Sequence, residues 1–250
     1  MVKESAPLRG GLPGGGPTFT APGLWTPDAS PGRPLIAESR AMLATVAAVV
    51  RFKKGEIIYR NGENATAVFN IITGFVTCYR RLPGQKKHIV GFAFANDLIG
   101  LPQNGTYVNT AEAATAVTLY KISGPAIEAR LRRHADLDFQ LIGKLCHDLR
   151  DAQDHALLLS KRRAAARLGL FLLMLEARQG HDGAPGGEVF LPMRRSDIGS
   201  YIGISAEAVT RTLRELTQHG VIAFGDRRHM RIVDRALLEM IAQETWHPPG

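Results

Sequence analysis

The sequence predicts an α+β chain in which an amino-terminal β-roll or jelly roll is joined by one long helix to a carboxy-terminal winged helix-turn-helix. Three observations carry this reading. Short apolar runs broken by evenly spaced turn signals fill residues 50–122. An apolar stripe with alternating spacings of three and four runs from residue 142 to 159. Two helical stretches separated by a Gly, then two strand-like runs around a basic turn, occupy residues 191–233.

Composition bounds the answer. A chain of 250 residues suffices for two domains, each with its own core. A hydrophobic share of 45% excludes wholesale disorder. No stretch approaches the roughly 20 uninterrupted apolar residues that span a bilayer; residues 41–50 come nearest and are too short. Glu4 and a Gly/Pro-rich run stand where a signal peptide places its apolar core, so the expected location is the cytoplasm. The net charge of +8 suits a polyanionic partner. Cys78 and Cys146 match neither a disulfide framework nor a zinc spacing, and both are expected to be buried apolar filler.

In chain order, residues 1–35 hold seven of the 14 prolines and seven of the 26 glycines and read as a flexible leader. A helix over residues 35–49 opens a domain spanning 36–134. Its turn signals are Lys54-Gly55, Asn61-Gly62, Thr73-Gly74, Pro83-Gly84 and Asn96-Asp97, with strands such as 56–59, 68–72 and 75–79 between them. A barrel of this size has an interior able to hold a small ligand. A short helix over 124–133 leads to a long one over 135–160. Its seam of Ile142, Leu145, Leu149, Ala152, Ala156 and Leu159 is a heptad pattern, which favours a parallel dimer over packing on the barrel.

Lys161-Arg162-Arg163 reads as a hinge, and residues 161–250 form the last domain. Residues 168–175 make an apolar helix that must be buried, and 179–187 a Gly-rich surface loop. Residues 197–202 form a short helix, Gly203-Ile204-Ser205 the turn, and Ser205 caps a second helix whose apolar positions are Val209, Leu213 and Leu216. The opposite side presents Glu207, Thr210, Arg211 and Arg214, a polar ridge suited to a DNA major groove. Gly220 ends this helix. Runs 221–224 and 229–233 flank the basic tip Gly225-Asp226-Arg227-Arg228 as a wing. A closing helix spans 235–243, and 246–250 is a tail. A structural helix hairpin is the alternative, but five signals coincide within these residues.

Barrel, long helix and winged helix-turn-helix in this order resemble the CRP/FNR family of bacterial transcription regulators over residues 45–240. The residues that carry the resemblance are QDHALLLSK at 153–161 followed by Arg167-Leu168, and LPMRRSDIGSYIGISAEAVTRTL at 191–213. KKHIVGFAFANDLIG at 86–100 adds a similarity to the FNR and FixK branch. The resemblance implies a cyclic-nucleotide-binding-like sensor domain and places Glu207, Thr210 and Arg211 where that branch reads bases. The chemistry agrees: Arg can bond guanine O6 and N7, and a carboxylate can accept from cytosine N4. Thr210 stands where the branch usually has Ser, and Ala206 where the CRP branch has Arg. The implied half-site is TTGAT, repeated in inverted order. Arg194, Arg195 and Ser205 fall where the family touches phosphates, and Arg227 and Arg228 join them on charge grounds.

Cyclic-nucleotide members hold ribose and phosphate with a Gly-Glu-Leu turn and an Arg-Ser pair. The corresponding places here resemble Gly100-Leu101-Pro102 and Tyr107-Val108, so cAMP is not expected. Two cysteines cannot supply the four thiolates of the FNR iron–sulfur cluster. No cofactor is expected; haem on a lone histidine, with His88, His134, His147 and His155 as candidates, stays open. Ala152 leaves the middle of the seam uncharged, which motivates a constitutive dimer controlled by abundance. No catalytic motif with context is present, so an enzyme is not expected. The resemblance implies double-stranded DNA, a second copy and RNA polymerase as partners, with no membrane association. It points to an activator of low-oxygen or nitrogen-related genes. The alternative is a ligand-gated sensor of the same family.

Overall fold

The first half of the chain builds two facing four-stranded sheets, because its short strands turn one apolar face inward and are separated by tight turns. The computed structural model describes residues 37–81, 86–179 and 188–245. The expected leader, the Pro83-Gly84 turn, the body of the 179–187 loop and the 246–250 tail lie outside the described residues. Helix α1 (Ala37–Ala44) is followed by β1 (Ala48–Phe52), β2 (Ile57–Tyr59), β3 (Ala67–Thr73) and β4 (Val76–Arg81). Then come β5 (Lys87–Ala93), β6 (Leu98–Ile99), β7 (Thr110–Ala113) and β8 (Val117–Ser123). The sheets have the orders β1-β8-β3-β6 and β2-β7-β4-β5, with antiparallel pairing.

Between the sheets, Ala67, Phe69 and Ile71 of β3 meet Val76 and Cys78 of β4 and Ala111 and Ala113 of β7. The other face of β3 is covered too, Val68 packing with Leu43, Ile122, Ile127 and Leu137. Asn70, buried on that same face, is satisfied because its Nδ2 donates to the Asn96 and Asp97 carbonyls at 2.9 and 3.1 Å. The helix expected over 35–49 stops at Ala44. Ala48 and Val49 instead pair with Lys121 and Tyr120, since a run of β-branched valines beside a free strand edge gains more from the ladder than from a helical turn.

After β8 come α2 (Gly124–Leu131), α3 (Ala135–Ser160) and α4 (Ala164–Gln179). Ser123 caps α2 by accepting the Ala126 N–H. The carboxy-terminal part consists of β9 (Glu188–Phe190), α5 (Arg195–Ile202), α6 (Ala206–Gln218), β10 (Ile222–Phe224), β11 (His229–Ile232) and α7 (Arg235–Ala242). Its core is built on α4: Leu168 and Leu172 are fully buried and pack in one cluster with Ile198, Val209, Leu213 and Leu238. Each such side chain stabilises the fold by about 1.5–3 kcal/mol. Phe92 and Ile89 of the barrel join the same cluster, so one apolar core spans the barrel's outer face and the carboxy-terminal helices. The wing has three strands in the order β10-β11-β9, one more than expected. Strand β9 is three residues beside a Gly/Pro-rich stretch, and its strand character comes from pairing Val189 with Met230.

Candidate nucleic-acid interface

Helix α5 ends on Gly203, whose φ of +70° is the left-handed conformation a C-cap needs. The chain then turns back so that the Ile204 N–H donates to the Gly199 carbonyl at 2.9 Å. Ser205 accepts the Ala208 N–H at 3.1 Å and starts α6, as its position implies. Val209, Leu213 and Leu216 are buried against α4 and α5, which fixes the rotation of the helix about its axis. Glu207, Thr210, Arg211 and Arg214 are consequently exposed on its outer side.

These side chains are poised rather than consumed. Arg211 lies 3.8 Å from Glu215 with 69% of its side chain exposed, a pair too loose and wet to hold it. The Thr210 hydroxyl donates to the Ala206 carbonyl at 2.9 Å, leaving its methyl and lone pairs as the groups on offer. The Glu207 carboxyl is held below the usual range by its own backbone N–H and the Ser205 hydroxyl, with Lys86 adding positive potential. It is therefore an ionised acceptor at neutral pH.

The residues expected at phosphates fall into two environments. Arg194, Ser205, Arg227 and Arg228 are exposed. Arg195 is half-buried, its guanidinium 5.7 Å from the Phe224 ring, and its Nη1 is buried without a hydrogen-bond partner. Burial lowers its pKa. At the wing tip Asp226 accepts the backbone N–H groups of Arg228 and His229 at 2.6 and 2.8 Å, and these bonds hold its pKa down to about 2. The turn that presents Arg227 and Arg228 is pinned by that one carboxylate.

From the sequence alone no role follows for Arg231 or Arg167. Arg231 is exposed on β11, between buried Met230 and Ile232; the alternation of residues 229–232 is the signal that places it outward. Arg167 lies at the hinge: its Nε donates to the Lys161 carbonyl at 2.8 Å and its Nη1 to Gly203 at 3.0 Å and Ile202 at 3.3 Å. One guanidinium thus ties the end of α3 to the turn of the helix pair. Nothing local in the sequence marks that contact.

Along α3 the whole stripe of Ile142, Leu145, Leu149, Ala152, Ala156 and Leu159 is exposed, with Leu149 at 61%. Leu137 and Leu158 are the buried leucines at its two ends. Cys146, expected to be buried, is exposed, because it lies on the outer side of α3 beside Leu145. Cys78 is buried between the sheets, and desolvation pushes its thiol up to about 12.

A cleft of about 710 Å³ lies between the barrel, α3 and α4. Its barrel wall carries Tyr59 and Tyr107, stacked with ring centroids 4.2 Å apart. The Tyr107 hydroxyl donates to the Ala67 carbonyl at 2.8 Å. A Cβ at Gly100 would meet the rings of Phe69, Tyr59 and Tyr107 at 3.2–3.3 Å, so Gly100-Leu101 backs onto aromatic rings. Of the four histidines, His134 precedes α3, His88 is on β5, and His147 and His155 are on α3. His155 is stacked on Tyr201 at 3.9 Å with its Nε2 on the Tyr201 carbonyl at 2.7 Å. Among the described residues no group of three or more His, Cys, Asp or Glu is placed to hold a metal, and no helix is long and apolar enough to cross a membrane.

Comparison with known proteins agrees with this architecture. Residues 49–134 match the family described as cyclic nucleotide-binding domain, and residues 166–241 that described as Crp-like helix-turn-helix domain. The nitrogen fixation regulation protein FixK of Bradyrhizobium diazoefficiens is 32% identical over 205 residues, covering 77% of this chain and 81% of that protein. The transcriptional activator protein FnrA of Stutzerimonas stutzeri is 31% identical over 184 residues, covering 73% and 75%. The solved structure of FixK2 from Bradyrhizobium japonicum aligns at a TM-score of 0.72 with 30% identity, covering 78% of this chain and 97% of that one. With its β-rich domain, its helices and its helix-turn-helix in that family's order, the chain belongs to the CRP/FNR family of DNA-binding transcription regulators, in its FixK branch.

Proposed function

We propose that the protein is a homodimeric activator that binds the palindrome TTGAT-N4-ATCAA without cAMP or an iron–sulfur cluster. Residues 36–134 serve as a sensor-like domain, 135–160 as the dimerisation helix and 161–250 as the DNA-binding domain. The observation that carries the reading is the exposed row Glu207, Thr210 and Arg211 in the first turns of α6, held outward by its buried stripe. Arg211 bonds guanine and Glu207 the cytosine N4, while Thr210 sets its methyl against a thymine. Arg194, Arg195, Ser205, Arg227 and Arg228 grip phosphates and fix the register.

The exposed apolar stripe on α3 supports a second copy as its cover, since one isoleucine and three leucines exposed along one helix face are costly in water. Activity set by abundance is supported by two of the three Lys and Arg side chains lining the cleft, because Lys144 is paired with Asp148 and Arg178 with Asp97, while the third, Arg150, is exposed at its edge. An anionic ligand entering there would have to displace those carboxylates. The name of one relative, a nitrogen fixation regulation protein, supports control of nitrogen-related genes; low-oxygen genes and RNA polymerase as a further partner are carried over from the family resemblance. Selection from a random duplex library with protein purified in air tests this: enrichment of inverted TTGAT is expected, and enrichment of single or direct sites would contradict it.

A second reading, in which a small molecule or haem gates DNA binding, is favoured by the size of the cleft. It predicts a cofactor absorption band or a bound mass in the native protein, and DNA binding that is lost when that molecule is removed.

A further inference from the structure

Arg178 joins three parts of the molecule at a distance from the DNA-reading surface. It lies in the last turn of α4, and its Nη2 donates to Asp97 Oδ2 at 2.8 Å, in the turn between β5 and β6. Its Nη1 stands 3.8 Å from Asp151 of α3, and the guanidinium lies 5.5 Å from the Phe94 ring. Asp97 is itself fixed, its Oδ2 accepting the Phe94 N–H at 2.8 Å. Asp151 also faces His147 at 3.4 Å. Burial works against the charge of Arg178, but Asp97 and Asp151 more than offset it and its pKa stands above the ordinary value. Two further contacts lie nearby. Ser200 of α5 accepts the Ile89 N–H and donates to the Lys87 carbonyl, both at 3.1 Å, fastening α5 to the edge of β5. His155 of α3 stacks on Tyr201 of α5 with an interplanar angle of 2°.

The apolar contacts among Phe92, Phe171 and Tyr201 would hold these parts together without any charge. A shared apolar core is non-directional, however, whereas a planar guanidinium hydrogen-bonded to Asp97, with the partly buried Asp151 carboxylate 3.8 Å away on its other side, favours one angle. In a dimer joined along α3, the angle between α3 and α4 in each copy sets how far apart the two α6 helices stand. That distance must match successive major grooves.

We infer that Arg178, through Asp97 and Asp151, is a positioning residue that sets the orientation of α6 relative to α3 and so selects the spacer between half-sites. This rests on the dimeric, palindrome-reading proposal above. Loss of the guanidinium leaves the Asp97 and Asp151 carboxylates on adjoining elements without their shared cation. The reader helices then lose their preferred separation while the core keeps the fold.

The test uses full-length protein and duplexes TTGAT-Nx-ATCAA with spacers of three, four, five and six at fixed salt. Wild-type protein is expected to prefer the four-base spacer. Arg178→Gln is expected to weaken binding to that duplex within the range of about 5- to 150-fold typical of coupling between separate sites. Its binding to the other spacers changes less, so the spacer preference collapses. Asp151→Asn, which keeps the Asp97 bond, moves the ratio the same way by a smaller factor. Arg178→Lys restores charge without the fork and leaves the ratio low. Thermal unfolding and sedimentation of each variant separate a misfolded or monomeric protein from a misaligned dimer. An unchanged spacer ratio in both folded, dimeric Arg178→Gln and Asp151→Asn overturns the inference, whatever the loss of affinity. Absence of any spacer preference in the wild-type protein overturns the palindrome reading instead, and this inference with it.

Discussion

The α-carbon of Gly199 faces the carbonyl oxygen of Ile204 so closely that a Cβ there would lie 2.6 Å from it. The two helices of the reading unit meet at this point, backbone against backbone. Any side chain at position 199 must push α5 away from the start of α6.

Gly199→Ala is therefore predicted to destabilise the protein by about 1–3 kcal/mol, the usual cost of overpacking. Denaturant unfolding reads the stability, and DNA binding should fall further than stability alone explains, because the displaced segment carries Ser205 and Glu207. A variant with wild-type stability and affinity would mean that the turn relaxes freely.

Arg211→Ala should cost about 1–3 kcal/mol on the proposed palindrome and relax discrimination at the G·C position. The weak 3.8 Å pair with Glu215 offers little to compensate. Competition binding with each of the four base pairs at that position measures it. Equal losses on all four would make Arg211 a phosphate contact.

Leu149 is the most exposed of the leucine and isoleucine side chains on the α3 stripe. Leu149→Lys withdraws two buried leucines from a dimer and faces two like charges, weakening association by roughly 3–6 kcal/mol at 1.5–3 kcal/mol per leucine. Sedimentation should give monomers at micromolar concentration, with the unfolding midpoint of the separated chain little changed. Persistent dimers would place the interface elsewhere.

The cysteines should behave as opposites. Exposed Cys146 reacts with a thiol reagent in the native protein, whereas Cys78 reacts after unfolding. Burial holds the Cys78 thiol neutral up to about 12. The unfolded chain ionises first, near pH 8.5, so it binds fewer protons and stability falls as pH rises between those values. Cys78→Ala is predicted to flatten that alkaline loss in pH-dependent unfolding; an unchanged slope would assign the loss to another group.

What could be read from the sequence follows the range of the forces involved. The spacing of Val209, Leu213 and Leu216 fixes which side of α6 is buried, and hence that Glu207, Thr210 and Arg211 face out. Period-3.6 burial is a local property. The stripe from Ile142 to Leu159 was legible for the same reason. Strand β9 was not, since Glu188–Phe190 become a strand through a ladder with residues forty positions away. Helix α1 ends earlier than the pattern predicts because residues 45–50 suit either element until the edge of β8 decides. The contacts of Arg167 with Ile202 and of Arg178 with Asp97 are not legible in the sequence, because these partners lie 35 and 81 positions away and no spacing encodes such a contact. Cys146 departs from the expected burial because a cysteine's usual burial says nothing of which face of α3 it occupies.

Helix α6 is proposed to recognise a specific palindrome in the protein as purified, with no added signal. Fluorescence anisotropy with protein prepared in air, on TTGAT-N4-ATCAA and on a scrambled duplex at one fixed salt concentration, tests it most directly, because the phosphate contribution common to both duplexes then cancels. Nanomolar binding to the palindrome is expected, with binding at least about a thousandfold weaker to the scrambled duplex. Equal, weak binding to both would contradict it.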